Sequence, residues 1–348
     1  MFINYLKKYR IEVILTVFLI GLFFLSRLIK LTALPIFVDE AIYLRWAQIA
    51  KNDANWRFIS LTDGKQPLYV WITMVMMRFV NDPITAGRLV SVLTGLVSMV
   101  AIWTLSFVLF KDRRLAFLSA FLYLVFPFAL VYDRMALMDS MVGTFSLLSL
   151  LLAVLLVKKL RLDLALILGA VLGGGVLTKT SGFLSIYLLP LTLLLFDWSA
   201  KNADQRRQRR LSLLQWLALA FLAVMVSQFF YNLLRLSPFF HFITQKNALF
   251  VYPFAEWIKH PFYYLRSHFS GLTNWLVVYM TWPWLGLVVF SLLNWRHRFQ
   301  EKLLLLAWFL VPFAGLILFG NILYPRFILF MTLPLLILAA ETLAMIGK

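Results

Sequence analysis

The chain has 348 residues, of which 62% are apolar and 14% charged, with a mean hydropathy of +0.86 and no cysteine. Such a composition repeatedly offers apolar runs of roughly 18 to 25 residues, which excludes an ordinary soluble domain and marks a polytopic membrane protein. The missing cysteines exclude disulfides and thiolate metal sites, the four histidines lack metal-ligand spacing, and the net charge of +18 lies in loops, where Lys and Arg mark the cytoplasmic side rather than a nucleic-acid stripe.

The first predicted span is 11–29. The basic "KKYR" precedes it and no small-residue cleavage site follows, so it reads as a retained anchor with a cytoplasmic N-terminus. Further spans are predicted at 85–109, 115–131, 141–157, 162–177, 182–197, 211–235, 273–293, 303–321 and 326–346, giving an all-α fold of about ten transmembrane helices. The basic connections "KDRR" at 111, "KKLR" at 158, "KNADQRRQRR" at 201 and "NWRHR" at 294 then all fall inside. The segment 66–80 looks apolar, but counting it as a span would expel those four clusters. It is also short and is bracketed by Pro67 and by Asn81-Asp82-Pro83, so it is expected to lie flat or half-way into the membrane on the outer side.

This topology sorts the awkward charges onto one face. The predicted outer loops are 32–84, which carries interfacial helices, and 237–272, which is rich in aromatics; "YDRMALMDS" at 132, "LTKTSG" at 177 and "LYPRF" at 323 share that side. Asp39 and Glu40 open a segment, Ala41 to Lys51, whose Ile42, Trp46 and Ile49 recur at helical spacing, as in a helix lying on a membrane. A carboxylate partly removed from water can serve as a general base; the alternative is an N-cap or first-turn acid meeting the helix dipole. Asp139 immediately precedes an apolar span and needs a partner, which Arg134, Lys65 or a divalent metal ion could supply. Lys65, Arg88, Lys179, Lys246, Lys259, Arg266 and Arg326 add cations to this face. Single cations there can simply snorkel to headgroups, whereas several beside carboxylates point to a site for an anionic group, most naturally a phosphate.

Taken in order, Asp39-Glu40, Lys65-Gln66-Pro67-Leu68-Tyr69, Arg134 to Asp139, Leu177-Thr178-Lys179 and Pro325-Arg326-Phe327 resemble the motifs of the GT-C membrane glycosyltransferases. Within that fold the pattern is most similar to the branch holding protein O-mannosyltransferases and the aminoarabinose transferases of lipid A. The resemblance covers residues 37–339 and implies a single GT-C-like transmembrane domain over 1–348. It implies a monosaccharide carried on a polyprenyl phosphate as donor, and a lipid, glycan or protein acceptor whose hydroxyl or phosphate is glycosylated on the extracytoplasmic side of a plasma (inner) membrane. By that analogy Asp39 is the base of an inverting transfer, Glu40 positions the acceptor or the interfacial helix, and Asp139 is a second acid, the candidate ligand if a metal is used. Lys65, Arg134, Lys179 and Arg326 would face the donor phosphate. Tyr43, Tyr69, Trp257 and Tyr324 are candidates for acceptor contacts or for an aromatic lid, although aromatics at that depth also form ordinary membrane belts.

The sequence departs from the family in Lys-Gln-Pro where many relatives have consecutive prolines, and in Phe327 where Tyr is common. It ends at Lys348 just after a span, which leaves open a compact member or a truncated one. The competing classes are a lipid or sugar transporter or flippase, which should line a path through the bilayer with charge, and a non-catalytic scaffold of the same fold. A transferase of preassembled oligosaccharides is a third.

Overall fold

The computed structural model describes residues 9–200 and 202–347; Lys7 and Lys8 of the first basic cluster, Lys201 and Lys348 lie outside the described residues. The described chain is all-α, with one isolated bridge between Val251 and Gly320. Six helices are long and apolar enough to cross a membrane. Four of them are α1 (Arg10–Leu28), α4 (Pro83–Phe110), α7 (Met138–Lys159) and α10 (Ala203–Asn232). The other two are α13 (Leu265–Leu293), kinked at Thr281, and α14 (Phe299–Phe319). A seventh crossing would combine Pro325–Thr332, which contains α15 (Leu329–Thr332), with α16 (Leu335–Ile346), at a bend of 52°.

The remaining three predicted spans are not long single helices. Segment 115–131 splits into α5 (Arg113–Val125) and α6 (Pro127–Tyr132), because Pro127 has no N–H to continue the ladder and holds Phe126 extended at ψ 115°. Segment 182–197 breaks likewise around Pro190, into α9 (Phe183–Tyr187) and a stretch of 3-10 turns. Segment 162–177 forms α8 (Leu162–Thr178), whose 17 residues fall just short of a full crossing. Its small residues are used as expected. A Cβ at Gly169 would stand 2.6 Å from Val226, and one at Gly173 would stand 2.7 Å from Phe230, so α8 and α10 pack with their backbones close.

The predicted interfacial elements form α2 (Val38–Asn52) and α3 (Leu68–Met76). At nine residues, α3 is too short to span. The 237–272 loop contains α11 (Phe242–Phe250) and α12 (Phe254–Lys259).

Two opposite ends of the bundle are distinguished by their ion pairs. At one end Arg113 bonds Glu12 (2.8 Å), Arg114 donates to the carbonyl of Gly347 (3.0 Å) and Lys158 to that of Val108 (3.1 Å). There too Lys302, fully buried, meets Glu341 at 2.9 Å. The other end gathers the charged residues of the predicted outer loops. The sorting of the loops into two groups is therefore reproduced by contacts between residues far apart in sequence.

The element that matters most for the site, α2, is tied down by a buried ion pair. Arg88 of α4 grips Glu40 with two bonds of 3.0 Å, while the N–H groups of Phe37 (3.0 Å) and Ala136 (2.6 Å) donate to the same carboxylate. Both side chains are sealed from solvent. Removing one partner strands a buried charge, which costs about 3–5 kcal/mol, so Arg88→Ala should unfold at markedly lower denaturant or temperature in detergent. The double variant Glu40→Met/Arg88→Met should recover much of that loss, and thermal unfolding of both variants measures it.

Candidate active site

The site is built where the two motif-bearing loops meet the bent end of the chain. Asp39 sits in the first turn of α2. The N-cap position is Phe37, and it is Glu40, not Asp39, whose carboxylate receives the free N–H of that turn. Consecutive helical residues point about 100° apart, so with Glu40 turned into the bundle its neighbour faces outward. Arg326, just before α15, donates to Asp39 Oδ2 at 2.5 Å, and Lys65 Nζ stands 3.8 Å from Asp39 Oδ1. The other side of Arg326 faces Asp139 at 3.8 Å, and Lys179, at the end of α8, bonds Asp139 at 2.7 Å. Two carboxylates and three cations contributed by five separate segments thus form one alternating cluster.

This cluster borders a cavity of about 460 Å³. Tyr43, Lys65, Asp139, Lys179 and Arg326 line it, and Asp39 adjoins it through its bonds to Arg326 and Lys65. The rest of the wall is largely apolar, from Val142, Leu184, Leu316, Leu323, Phe327 and Phe330. Lys179 lies 4.4 Å above the Phe327 ring, so the aromatic residue at that position acts as a cation–π floor for the lysine.

Tyr43 accepts from Lys65 Nζ at 3.2 Å. Burial, followed by the nearby Asp39, holds its phenol well above the usual range, so the hydroxyl keeps its proton and can donate. Lys65 is pushed the other way. Burial lowers its pKa below the ordinary 10.5, against the opposing pull of Asp39 and Asp63.

Several sequence candidates are placed elsewhere. Glu40 is sealed beneath the site and can act only by holding α2. Arg134 turns away to the carbonyls of Ile29 (2.8 Å) and Lys30 (2.9 Å), where it ties the end of α1 to the bundle. Tyr69 is buried with its hydroxyl on the Gly87 carbonyl at 2.8 Å, and Trp257 stacks on Phe254 and Phe319; neither lines the cavity. Tyr324 flanks it, with its ring 5.1 Å from the Arg326 guanidinium.

Other residues join the site that motif reading left unassigned. Asp63 bonds Lys246 at 2.6 Å and stands 3.7 Å from Lys65, and Lys246 lines the cavity. Gly64 makes this possible: its φ of +66° suits glycine, and a Cβ there would sit 2.4 Å from the carbonyl oxygen of Phe242 in α11. The Asp-Gly pair in "TDGK" is the local signal that a tight turn stands here. Nothing local identifies Lys246 as its partner.

As to a metal, Asp139 is held between Lys179 and Arg326, and among the described residues no group of three His, Cys, Asp or Glu side chains could hold an ion. The donor set does not fit a divalent cation, which wants several oxygen ligands and no adjoining ammonium.

The architecture is that of a polytopic membrane protein, and its fold is the GT-C fold of the solved structures to which it is similar. Residues 64–231 match the family model of dolichyl-phosphate-mannose-protein mannosyltransferase. Among solved structures, ArnT from Cupriavidus metallidurans bound to undecaprenyl phosphate is similar at 19% identity and a TM-score of 0.67, over 97% of this chain and 60% of that one. Its apo state gives 18% identity and a TM-score of 0.62 over the same shares. The archaeal oligosaccharyltransferase AglB from Archaeoglobus fulgidus, in complex with an inhibitory peptide and a dolichol-phosphate, is similar at 15% and 0.62, over 98% of this chain and 51% of that one. The chain thus spans between about half and three fifths of the length of these three solved structures. No curated protein matches it by sequence.

The lowered pKa of Lys65 has a measurable consequence. Affinity for an anionic probe such as a short-chain polyprenyl phosphate should fall as pH rises toward 10.5, beginning before an ordinary lysine would titrate, because the protonated form is the one that binds. Lys65→Arg should remove that alkaline limb, and titration of binding against pH in both proteins compares them; identical profiles would remove Lys65 from the anion site.

Proposed function

We propose that the protein is a membrane glycosyltransferase that moves a monosaccharide from a polyprenyl-phosphate carrier to an acceptor on the extracytoplasmic side. The observation that carries this reading is the cluster of Asp39, Lys65, Asp139, Lys179 and Arg326 at one end of the bundle, bordering a cavity whose remaining wall is largely apolar. Cations for a phosphate and apolar walls for a prenyl chain are the two halves of such a donor. The match to a dolichyl-phosphate-mannose transferase model, and folds like those of ArnT with undecaprenyl phosphate and AglB with dolichol-phosphate, support the same carrier chemistry.

The charge pattern suggests how the reaction proceeds. Without ligand, Arg326 and Lys65 neutralise Asp39. A donor phosphate entering the cavity competes for both cations and leaves the Asp39 carboxylate free as a base. The acceptor O–H gives its proton to Asp39 as its oxygen bonds to the anomeric carbon, with inversion. The anomeric C–O bond breaks and its electron pair departs on the polyprenyl phosphate. Lys65, Lys179 and Arg326 stabilise the charge that develops on that phosphate, a contribution that grows as water is excluded. Tyr43, a retained donor beside Lys65, adds a hydrogen bond to the phosphate or the acceptor.

Removing a general base typically costs 10²–10⁴-fold in rate. Asp39→Asn should therefore release polyprenyl phosphate from its sugar-linked donor roughly a thousand times more slowly than wild type, with an unchanged thermal unfolding midpoint. Mass spectrometry of released polyprenyl phosphate, with membrane extract as acceptor source, makes the comparison. Equal rates would remove Asp39 as the base, and no release from any donor by folded wild-type protein would overturn the transferase reading.

A further inference from the structure

One wall of the cavity is neither cationic nor apolar. Gln66, the residue after Lys65, donates from Nε2 to the Thr180 hydroxyl at 2.7 Å, and Thr180 donates in turn to Asn247 Oδ1 at 3.0 Å. All three line the cavity, and they come from the first loop, the turn after α8 and helix α11. The chain has a direction. Because Gln66 gives its amide hydrogen inward and Asn247 receives with its carbonyl oxygen, two ends are left over: the carbonyl oxygen of Gln66, an acceptor, and the amide nitrogen of Asn247, a donor.

Neither end has a protein partner among the described residues, and neither is among the side-chain atoms that are both unpaired and sealed from solvent. Gln66 is only 2% exposed, so the accessible part of its amide meets the cavity rather than bulk solvent. A buried amide that keeps a free acceptor at the wall of a cavity calls for a ligand that can donate to it.

The ligand's charge can be read from the surroundings. The carboxylate that lines this cavity, Asp139, is already satisfied by Lys179 and faced by Arg326, and Asp63 behind the wall is held by Lys246. No hydrogen bond among the described residues joins the side chains of Gln66, Thr180 or Asn247 to a carboxylate, so this wall itself offers an ammonium group no counter-charge. A hydroxyl suits both free ends, since it can donate to Gln66 and accept from Asn247 at once.

We propose that Gln66, Thr180 and Asn247 form the element that reads the hydroxyls of the donor's sugar and selects an uncharged, hydroxylated sugar over an amino sugar. This rests on the transferase reading above, and adds to it which residues choose the sugar. Asn247 belongs to α11, the helix whose Lys246 is tied to Asp63, so the sugar-reading element and a cavity-lining cation share one helix.

Binding to full-length protein in nanodiscs separates this inference from the reading beneath it. Three probes suffice: a polyprenyl phosphate, the same lipid carrying a neutral hexose, and the same lipid carrying an amino sugar. A neutral hydrogen bond is worth about tenfold in affinity at the upper end of its range. Wild type should bind the hexose lipid about tenfold tighter than the bare lipid, with a smaller gain for the amino sugar. Asn247→Ala should erase the hexose gain while leaving bare-lipid affinity unchanged, and Thr180→Ser, which keeps the hydroxyl, should retain it. Asn247→Asp keeps the oxygen that receives from Thr180 but replaces the donor by a carboxylate oxygen, and should move the preference toward the amino sugar. A hexose gain that survives Asn247→Ala, or a variant that weakens bare and glycosylated lipids alike, would reduce the chain to a structural tie and overturn the inference with the transferase reading intact. If wild type binds none of the three lipids, the transferase reading fails and the inference with it.

Discussion

Everything at the site hangs on a charge pair that never touches it. Glu40 and Arg88 are sealed in the bundle, and their two mutual bonds, with the amides of Phe37 and Ala136, fix where α2 begins and how it is rotated. Arg88 also donates to the carbonyl of Leu31 at 2.8 Å, so the loop leading into α2 is held by the same guanidinium. Asp39 is the residue just before Glu40 on this anchored helix. A buried ion pair is weak evidence for net stability, because desolvation offsets much of the attraction. Its value here is geometric: it fixes the rotation of α2, and with it the position of Asp39 beside Arg326 and Lys65, within the tolerance a functional constellation needs.

A second constraint is charge balance within the cluster. Arg326 lies between Asp39 and Asp139, Lys65 leans on Asp39 and Asp63, and Lys179 covers Asp139. Each acid has a cation and each cation an acid, and with Asp63 and Lys246 counted the four cations exceed the three acids by one, a surplus positive charge beside apolar walls that suits an anionic ligand. The same arrangement is poised for an anionic ligand, whose arrival transfers the cations' attention from the carboxylates to itself. The buried pairs elsewhere have no such opening. Arg27 is enclosed with Asp133, to which Tyr123 and Ser140 also donate, and Lys302 is enclosed with Glu341 and Ser291 at the opposite end. They join helices and border no described cavity.

Helix α11 is where loop chemistry meets the cavity. Gly64 admits α11 to within contact of the first loop, Asp63 holds Lys246, and the amide chain through Thr180 holds Asn247. Three points of attachment hold a short helix beside the cavity.

Much of the architecture was legible in the residues because the bilayer imposes simple rules. Apolar runs have to be helical where no water can satisfy the backbone, basic loops sort to one side, and a 66–80 segment bracketed by prolines is too short to cross. Those rules are blind to interruptions inside an apolar run, so the breaks at Pro127 and around Pro190 emerge only in the folded chain. Among the site residues, the sequence by itself determined which charged side chains stand at one end of the bundle: Asp39, Lys65, Asp139, Lys179 and Arg326 are there because the middles of the spans between them are nearly free of charge. Which of their neighbours joined them was decided by tertiary structure alone. Adjacent helical residues face different ways, so Asp39 reaches the site while Glu40 is sealed beneath it, and Arg134 and Tyr69 turn to backbone carbonyls that no motif announces. Lys246 and Asn247 enter from a loop some 180 residues away from Asp63 and Gln66, a separation that chain order cannot bridge; packing brings Lys246 to 2.6 Å from Asp63 and joins Asn247 to Gln66 through the Thr180 hydroxyl.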